Sequence, residues 1–391
     1  MKPLMRVSGA DAGALRAALA AALDGGPAVF PLATPDQEVS GVPGEVDDGI
    51  ALVIETSGST ARPKRVALPA SALVAGAEAS AAALAGHGRW LLALPGHYIA
   101  GAQVLVRSLV AGPEPEVLPA GPFTAEAFAL ATRRIMRTRD ALPRYTSLVP
   151  VQLARVVEAA GGDPGHETAR ALAAYAAILV GGQALSAEVA ERAAALGARI
   201  VRTYGSSETA GGCVYDGRPL PGVRVRIAEG QVELGGPTLA AGYLGDPERT
   251  AAAFHDDAEG RWYRTGDLGS VDADGILRIT GRADDVIVSG GVKVALGEVE
   301  RVVRALPGFG EAVVLPVEHA EWGARPAVVA PASAGEGGAG EADAVLARLV
   351  RAVDDAGLPP AARPVRVLLL DALPRLASGK PDRRALLARL A

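Results

Sequence analysis

Ile50-Ala51-Leu52-Val53-Ile54, followed after Glu55 by Thr56-Ser57-Gly58-Ser59-Thr60-Ala61-Arg62-Pro63-Lys64, is an apolar run that ends in a hydroxyl-rich loop. Five consecutive apolar residues fit a strand buried on both faces. Glycine in the loop lets backbone approach a phosphate closely, hydroxyls and amides donate to its oxygens, and Lys64 adds charge. The Gly-Lys-Ser/Thr ending of a Walker A loop is missing. A bare Ser/Thr/Gly cluster is more often an ordinary strand-to-helix turn, so the loop alone leaves both readings open. Working outward, residues 71–85 are Ala-rich and predict a helix. Residues 90–94, 146–149 and 176–180 read as further strands, the last closed by Gly181-Gly182. A helix over 187–196 and a strand over 199–203 follow. The alternation predicts βαβ units and an α/β fold with a largely parallel sheet, with ligand loops at the carboxyl ends of its strands.

The second half changes pattern. Residues 223–227 alternate strictly, turn at Glu229-Gly230 and return over 231–234, a hairpin with one wet face. Residues 275–279 read as another exposed strand. Beyond Gly281-Arg282 the expected order is helix (298–306), strand (312–316), strand (327–330), helix (343–355) and strand (365–370), enough for a small α+β domain with a Gly-rich loop at 335–340. The boundary is expected at 282–285, dividing the chain into residues 1–281 and 282–391. No repeat or heptad seam is present.

At 391 residues the chain exceeds one ordinary core, and 49% hydrophobic residues suffice for well-filled interiors. A net charge of −5 argues against a nucleic-acid partner. The lone Cys213 rules out an internal disulfide framework and suits a reducing, cytoplasmic setting. The first residues lack the apolar core of a secretion signal, and no apolar stretch is long enough for a membrane span.

Three further motifs carry chemistry. In Thr203-Tyr204-Gly205-Ser206-Ser207-Glu208-Thr209, Tyr204 can pack on a purine, the Ser207 hydroxyl can meet phosphate, and Glu208 can hold magnesium, a hard cation that takes carboxylate and phosphate oxygens. The same residues alone read more often as a Ser/Thr turn before a helix-start glutamate. In Arg264-Thr265-Gly266-Asp267, the Asp267 carboxylate can accept both ribose hydroxyls, or be a turn aspartate beside glycine. Arg282, in Gly281-Arg282-Ala283-Asp284-Asp285, can pair with phosphate or ribose oxygens. Ser289-Gly290-Gly291-Val292-Lys293 follows. Finally Leu373-Pro374-Arg375-Leu376-Ala377-Ser378-Gly379-Lys380 places a late lysine in a polar turn, a mobile positive charge for an enzyme that activates a carboxylate with ATP.

These motifs, in this order, resemble the adenylate-forming superfamily of acyl- and aryl-CoA ligases, luciferases and peptide-synthetase adenylation domains. The resemblance runs from about Leu52 to Arg384. It implies a large N-terminal domain with mixed or parallel sheets, a small mobile α+β C-terminal domain, and a hinge at Asp284. It implies a first half-reaction that joins a carboxylate to AMP with release of pyrophosphate, then rotation of the small domain and attack by a thiol. By motif, Thr56, Ser57, Gly58, Ser59, Thr60 and Lys64 would hold the β- and γ-phosphates. Gly182 and Tyr204 would flank adenine, Ser207 would touch the α-phosphate, and Glu208 would hold Mg2+. Asp267 would bind ribose, with Arg282 beside it, and Lys380 would bridge the carboxylate and α-phosphate. Gly290 and Gly291 would face the pantetheine arm of CoA.

Within the superfamily the chain is short. Residues 94–103 and 208–217 resemble the compact actinobacterial o-succinylbenzoate–CoA ligases of menaquinone biosynthesis. That implies ATP, Mg2+ and CoA as co-substrates and cofactor, and an acyl pocket lined by His97 and Ser206. Alone, His97 also reads as a turn or core histidine. A second substrate carboxylate favours a cationic wall, for which Arg107 is a candidate, although such an arginine is more often at the surface. For Cys213 the reading is packing rather than nucleophilic catalysis. A CoA ligase for another aryl or acyl acid and a carrier-protein-loading adenylation enzyme share every motif, and a homodimer is admitted. Two departures stand out. Ala61 replaces the usual loop glycine, at a cost on the order of 1 kcal/mol if positive φ is required, and Leu296-Gly297 stands where proline is usual.

Overall fold

The computed structural model describes residues 1–34, 37, 39–56, 63–334, 341–376 and 379–390. Among them the chain forms an α/β fold of four sheets. Three hydrophobic cores draw only on residues up to Leu277, and two only on residues from Ile287 onward.

The first sheet has the order Gly242–Tyr243, Lys64–Pro69, Ile50–Thr56, Ala28–Leu32, Lys2–Ser8, Glu45–Val46. Ile50–Thr56 runs parallel to Ala28–Leu32 but antiparallel to Lys64–Pro69, with Thr56 opposite Lys64. The hydroxyl loop therefore closes a hairpin, which corrects the strand-to-helix reading. Val66, Ala67 and Leu68 bury completely or nearly so in the second strand, and the helix Ala70–Ala83 starts only after it. The first sheet is thus mixed rather than largely parallel.

The second sheet carries the expected parallel run: Ile200–Ser206, Ala177–Gly181, Arg144–Leu148, Arg89–Leu92 and Glu116–Val117, with Gly211–Tyr215 and Arg218–Pro219 antiparallel at one edge. Helices Ala12–Leu23, Ala70–Ala83 and Ile99–Ala111 share one core with strands of both sheets. Helices Ala125–Met136, Pro150–Ala159 and Glu167–Ala173 cover the second sheet's other face through Phe128, Leu153 and Leu172. The carboxyl ends of the parallel strands thereby open at one edge, where ligand loops collect.

The third sheet is antiparallel: Arg224–Ala228, Gln231–Gly235, Gly260–Val271 and Phe254–Asp257, with Leu277–Arg282 added to Gly260–Val271. The hairpin forms as expected, and its polar face is open to solvent at Arg224 but closed at Glu233. Glu233 is 1% exposed and pairs with Arg226 at 2.8 Å and Arg264 at 3.2 Å. Alternation in sequence reports polarity, and here a neighbouring strand covers that polarity with arginines.

The last sheet has the order Val292–Ala295, Val286–Ser289, Gly323–Pro331, Val313–His319, with Arg366–Leu370 parallel to Gly323–Pro331. Helices Leu296–Arg304 and Glu341–Asp355 pack on it through Val299, Val303 and Leu349, and Arg383–Leu390 through Leu386. The short turn Ala283–Asp285 joins the third sheet to this one. No helix among the described residues is long and apolar enough to cross a membrane.

Candidate active site

Two polar lines meet at the carboxyl edge of the second sheet. The first starts at the hydroxyl-loop hairpin. The Thr56 hydroxyl lies 3.5 Å from the Lys64 carbonyl. The Lys64 ammonium sits 5.5 Å from the centre of the Tyr243 ring. The Tyr243 hydroxyl donates to Glu208 Oε1 at 2.8 Å. Glu208 is 6% exposed, so this bond anchors a buried carboxylate. Burial, and then the Glu208 charge, push the Tyr243 phenol well above the ordinary tyrosine range, so it acts as a fixed donor.

The second line runs through the strand that precedes Glu208. The Tyr204 hydroxyl donates to Asp267 Oδ2 at 2.6 Å, and Arg282 Nη1 donates to Asp267 Oδ1 at 3.1 Å. Arg282 also grips Asp284 with Nε at 3.0 Å and Nη2 at 3.2 Å, a bidentate pair. The Arg282 bond holds the Asp284 carboxyl below the usual carboxylate range. Burial, then the Asp267 charge, raise the Tyr204 phenol. Asp267 was expected to stand open to ribose; both its oxygens are already engaged. A carboxylate accepts about four bonds, so two hydroxyls add to this arrangement rather than replace it.

Backbone sets these groups. Gly205 has φ of +154°, and a Cβ there would lie 2.2 Å from the Gly211 carbonyl, so only glycine lets the strand turn here. Ser206 and Ser207 follow at the strand end, and Ser207 and Glu208 are buried in a single 3-10 turn. Gly182 has φ of +81°, and a Cβ built on it would lie 3.9 Å from Val149 Cγ1. Gly379 reaches the same edge from the small unit: a Cβ built on it would lie 3.5 Å from Val151 Cγ1. The turn holding Lys380, itself exposed, thus sits beside the segment that abuts Gly182.

His97 is half-buried, its Nδ1 has no partner among the described residues, and its ring centre lies 4.2 Å from that of Tyr98 at a tilt of 49°. Burial holds its pKa below the ordinary histidine value. Past it, Ile99, Gln103 and Arg107 lie four residues apart along one helix face. Gly211, which pairs with Ser206, leaves room beside Gln103 and Ile99. Gln103 is 1% exposed and its Oε1 has no partner among the described residues. Arg107 is 7% exposed, which corrects the expectation of a surface residue. Its guanidinium lies 4.9 Å from the Trp90 ring, Nη2 donates to the Tyr215 hydroxyl at 3.3 Å, and Nε has no partner among the described residues. The apolar stem and aromatic stack let a cation sit in the interior.

Tyr243, Gln103 and the Arg107–Tyr215 contact were not found by sequence reasoning. The helical spacing of 99, 103 and 107 was the available signal for the last two. Gly290 and Gly291 form the turn between Val286–Ser289 and Val292–Ala295, and Gly290 lies against Trp322 within the small unit. Ser57, Gly58, Ser59 and Thr60, with Ala61, lie outside the described residues. Cys213 is fully buried and burial pushes its thiol up to about 12, in keeping with a packing role. Among the described residues no three His, Cys, Asp or Glu side chains converge as a metal cage. A single buried carboxylate, that of Glu208, fits magnesium, which takes one or two carboxylates and completes its shell with substrate phosphates and water.

An arrangement of this kind on an α/β lobe defines a class, and the chain belongs to the AMP-binding enzyme family: residues 12–244 match that family, and residues 298–380 match the AMP-binding enzyme C-terminal domain. Among its relatives, a probable 2-succinylbenzoate–CoA ligase of Mycobacterium tuberculosis (strain ATCC 25618 / H37Rv) is 40% identical over 352 residues, covering 89% of this chain and 86% of the relative. The 2-succinylbenzoate–CoA ligase of Escherichia coli (strain K12) is 32% identical over 284 residues, 70% of this chain and 57% of that one. Among solved structures, o-succinylbenzoate CoA synthetase from Bacillus subtilis in complex with its acyl-adenylate intermediate superposes with a TM-score of 0.71 at 26% identity, covering 86% of this chain and 69% of the other.

Proposed function

We propose that this chain is an AMP-forming acid–thiol ligase: it adenylates o-succinylbenzoate with ATP, then transfers the acyl group to CoA, giving o-succinylbenzoyl-CoA, AMP and pyrophosphate. The observation that carries this reading is the pair of polar lines, Lys64–Tyr243–Glu208 and Tyr204–Asp267–Arg282–Asp284, both passing through the end of the strand Ile200–Ser206 and the turn after it, while the turn of Lys380 meets the large unit at Val151. The choice of acid is supported by the relatives and by Arg107. A guanidinium buried one helical turn beyond Gln103, with its Nε unpartnered and no carboxylate paired to it among the described residues, suits the distal carboxylate of a dicarboxylate.

A carboxylate attacking ATP is an anion approaching an anion, so catalysis is positioning and charge stabilisation. Lys64 and the hydroxyl loop, with Thr56 at its base, would hold the β- and γ-phosphates. Tyr204 and Gly182 would flank adenine, Asp267 and Arg282 would hold ribose, and Ser207 would meet the α-phosphate. Glu208, oriented by Tyr243, would hold magnesium, which supplies neutralisation of phosphate charge when bound. His97 and Ser206 would line the acyl pocket. Lys380 would bridge the substrate carboxylate and the α-phosphate during adenylation. The thiol step needs that lysine withdrawn. Residues 1–281 would act as the nucleotide-holding lobe and residues 282–391 as a mobile lobe, turning about Asp284 so that Gly290 and Gly291 face the pantetheine arm. The setting proposed is cytoplasmic, and the assembly a monomer or homodimer.

The test is ATP- and CoA-dependent pyrophosphate release with o-succinylbenzoate beside benzoate and fatty acids. Turnover restricted to o-succinylbenzoate is expected. Preference for another acid would overturn the substrate, and acceptance of a phosphopantetheinyl protein in place of free CoA would overturn the acceptor.

A further inference from the structure

The turn that carries Lys380 is braced by groups that take no part in the nucleotide lines. The Leu376 N–H donates to the Lys380 carbonyl at 2.8 Å, and the Gly379 N–H donates to the Leu376 carbonyl at 2.8 Å. Arg375 and Pro381 bridge across its base. The Arg375 guanidinium then spans two directions. Nη1 donates to the Gly379 carbonyl, one residue before Lys380, at 2.9 Å. Nη2 pairs with Glu311 at 2.8 Å.

Glu311 follows Gly310, and Gly310 marks a second place where the small unit meets the large one. A Cβ built on Gly310 would lie 3.3 Å from Ser186 Cβ. Ser186 caps the helix Ala187–Ala195 by accepting from the Val189 N–H, four residues beyond Gly182. One guanidinium therefore ties the carbonyl beside Lys380 to the edge by which the small unit rests on the large one.

We propose that Arg375 and Glu311 are a positioning pair for Lys380: the guanidinium fixes the turn that aims the ammonium, and Glu311 registers that guanidinium to the docking edge. The proposal rests on the adenylation role assigned to Lys380 above. A partly exposed ion pair contributes little to folding, so its consequence is geometric. Two acceptors in different directions suit the planar fork of arginine, whereas lysine is a compact point charge. Misplacing a reacting group by about 1 Å costs up to roughly a hundredfold.

The experiment measures carboxylate-dependent ATP–pyrophosphate exchange, and separately the CoA-dependent consumption of preformed acyl-adenylate. Arg375→Met, Arg375→Lys and Glu311→Gln are each made in the native chain and in Lys380→Ala. Exchange is expected to fall about tenfold or more in Arg375→Met and by less in Glu311→Gln. Arg375→Lys recovers part of the loss, and thioester formation and melting temperature stay unchanged. With Lys380 already removed, the same changes cause no further loss. Equal damage to both half-reactions, additive loss in Lys380→Ala, or full exchange in both Arg375→Met and Glu311→Gln would overturn the pair. If Lys380→Ala alone leaves exchange intact, the role of Lys380 fails and the pair with it. If Lys380→Ala loses exchange while the other variants keep it, only the pair fails.

Discussion

Replacing Arg107 by leucine separates specificity from folding. The native guanidinium is 7% exposed, and its contacts are the Trp90 ring at 4.9 Å and the Tyr215 hydroxyl at 3.3 Å. Arg107→Leu removes the cation–π contact, a loss of about 0.5–2 kcal/mol. It also removes the desolvation cost of a buried charge, which is of comparable or larger size. Tyr215 keeps its bond to the Ser80 hydroxyl at 2.7 Å, so no phenol is orphaned. Stability should therefore change little. Catalysis should change much. A hydrogen bond to a charged group is worth about 1.5–3 kcal/mol, or roughly a 10- to 150-fold loss in kcat/KM for the dicarboxylate. Steady-state pyrophosphate release compares o-succinylbenzoate with an aryl acid lacking the distal carboxylate, alongside a thermal melt. The ratio of the two kcat/KM values should collapse while Tm holds. An equal loss for both acids would refute the carboxylate-binding role, and a large fall in Tm with an unchanged ratio would make Arg107 a folding residue.

Other outcomes follow from the same geometry. Lys380→Ala should slow adenylation by roughly a hundredfold, about 3 kcal/mol of barrier, while thioester formation from premade acyl-adenylate survives; rapid-quench assays of each half would expose equal damage. Asp284→Pro should spare adenylation and slow the thiol step, because proline freezes φ where the hinge must turn; an unaffected second half-reaction removes the hinge. Burial keeps His97 below its ordinary pKa, so the unfolded chain binds that proton more readily. Its contribution to stability is therefore present above about pH 6.5 and declines as pH falls through that value. In His97→Asn the slope of Tm against pH should flatten between about pH 7.5 and about 5.5, and an identical slope would show that another group titrates.

Much of the architecture was readable in one dimension. The run Ile50-Ala51-Leu52-Val53-Ile54 became a strand because five apolar side chains have nowhere else to go. The Ala-rich segment became the helix Ala70–Ala83 because its small side chains lose little entropy there. The partner strand Lys64–Pro69 was missed: it is short, begins with two cations, and acquires its state only by pairing with Ile50–Thr56. The hairpin Val286–Ser289 with Val292–Ala295 was read only as a glycine motif, since its two short arms gain stability from Gly323–Pro331 alongside.

For the site, chain chemistry by itself determined which groups are present and in what order: a hydroxyl loop with Lys64, then Glu208, Asp267, Arg282 and Lys380. Side-chain identity sets what a group can donate, accept or neutralise, and this needs no partner to be stated. Tertiary structure alone decided who meets whom. Tyr243 on Glu208, Tyr204 on Asp267, Arg107 on Tyr215, and Arg375 on Glu311 join residues far apart along the chain. Such contacts leave no local signal, because their free energy comes from burial and pairing that exist only once the lobes have packed.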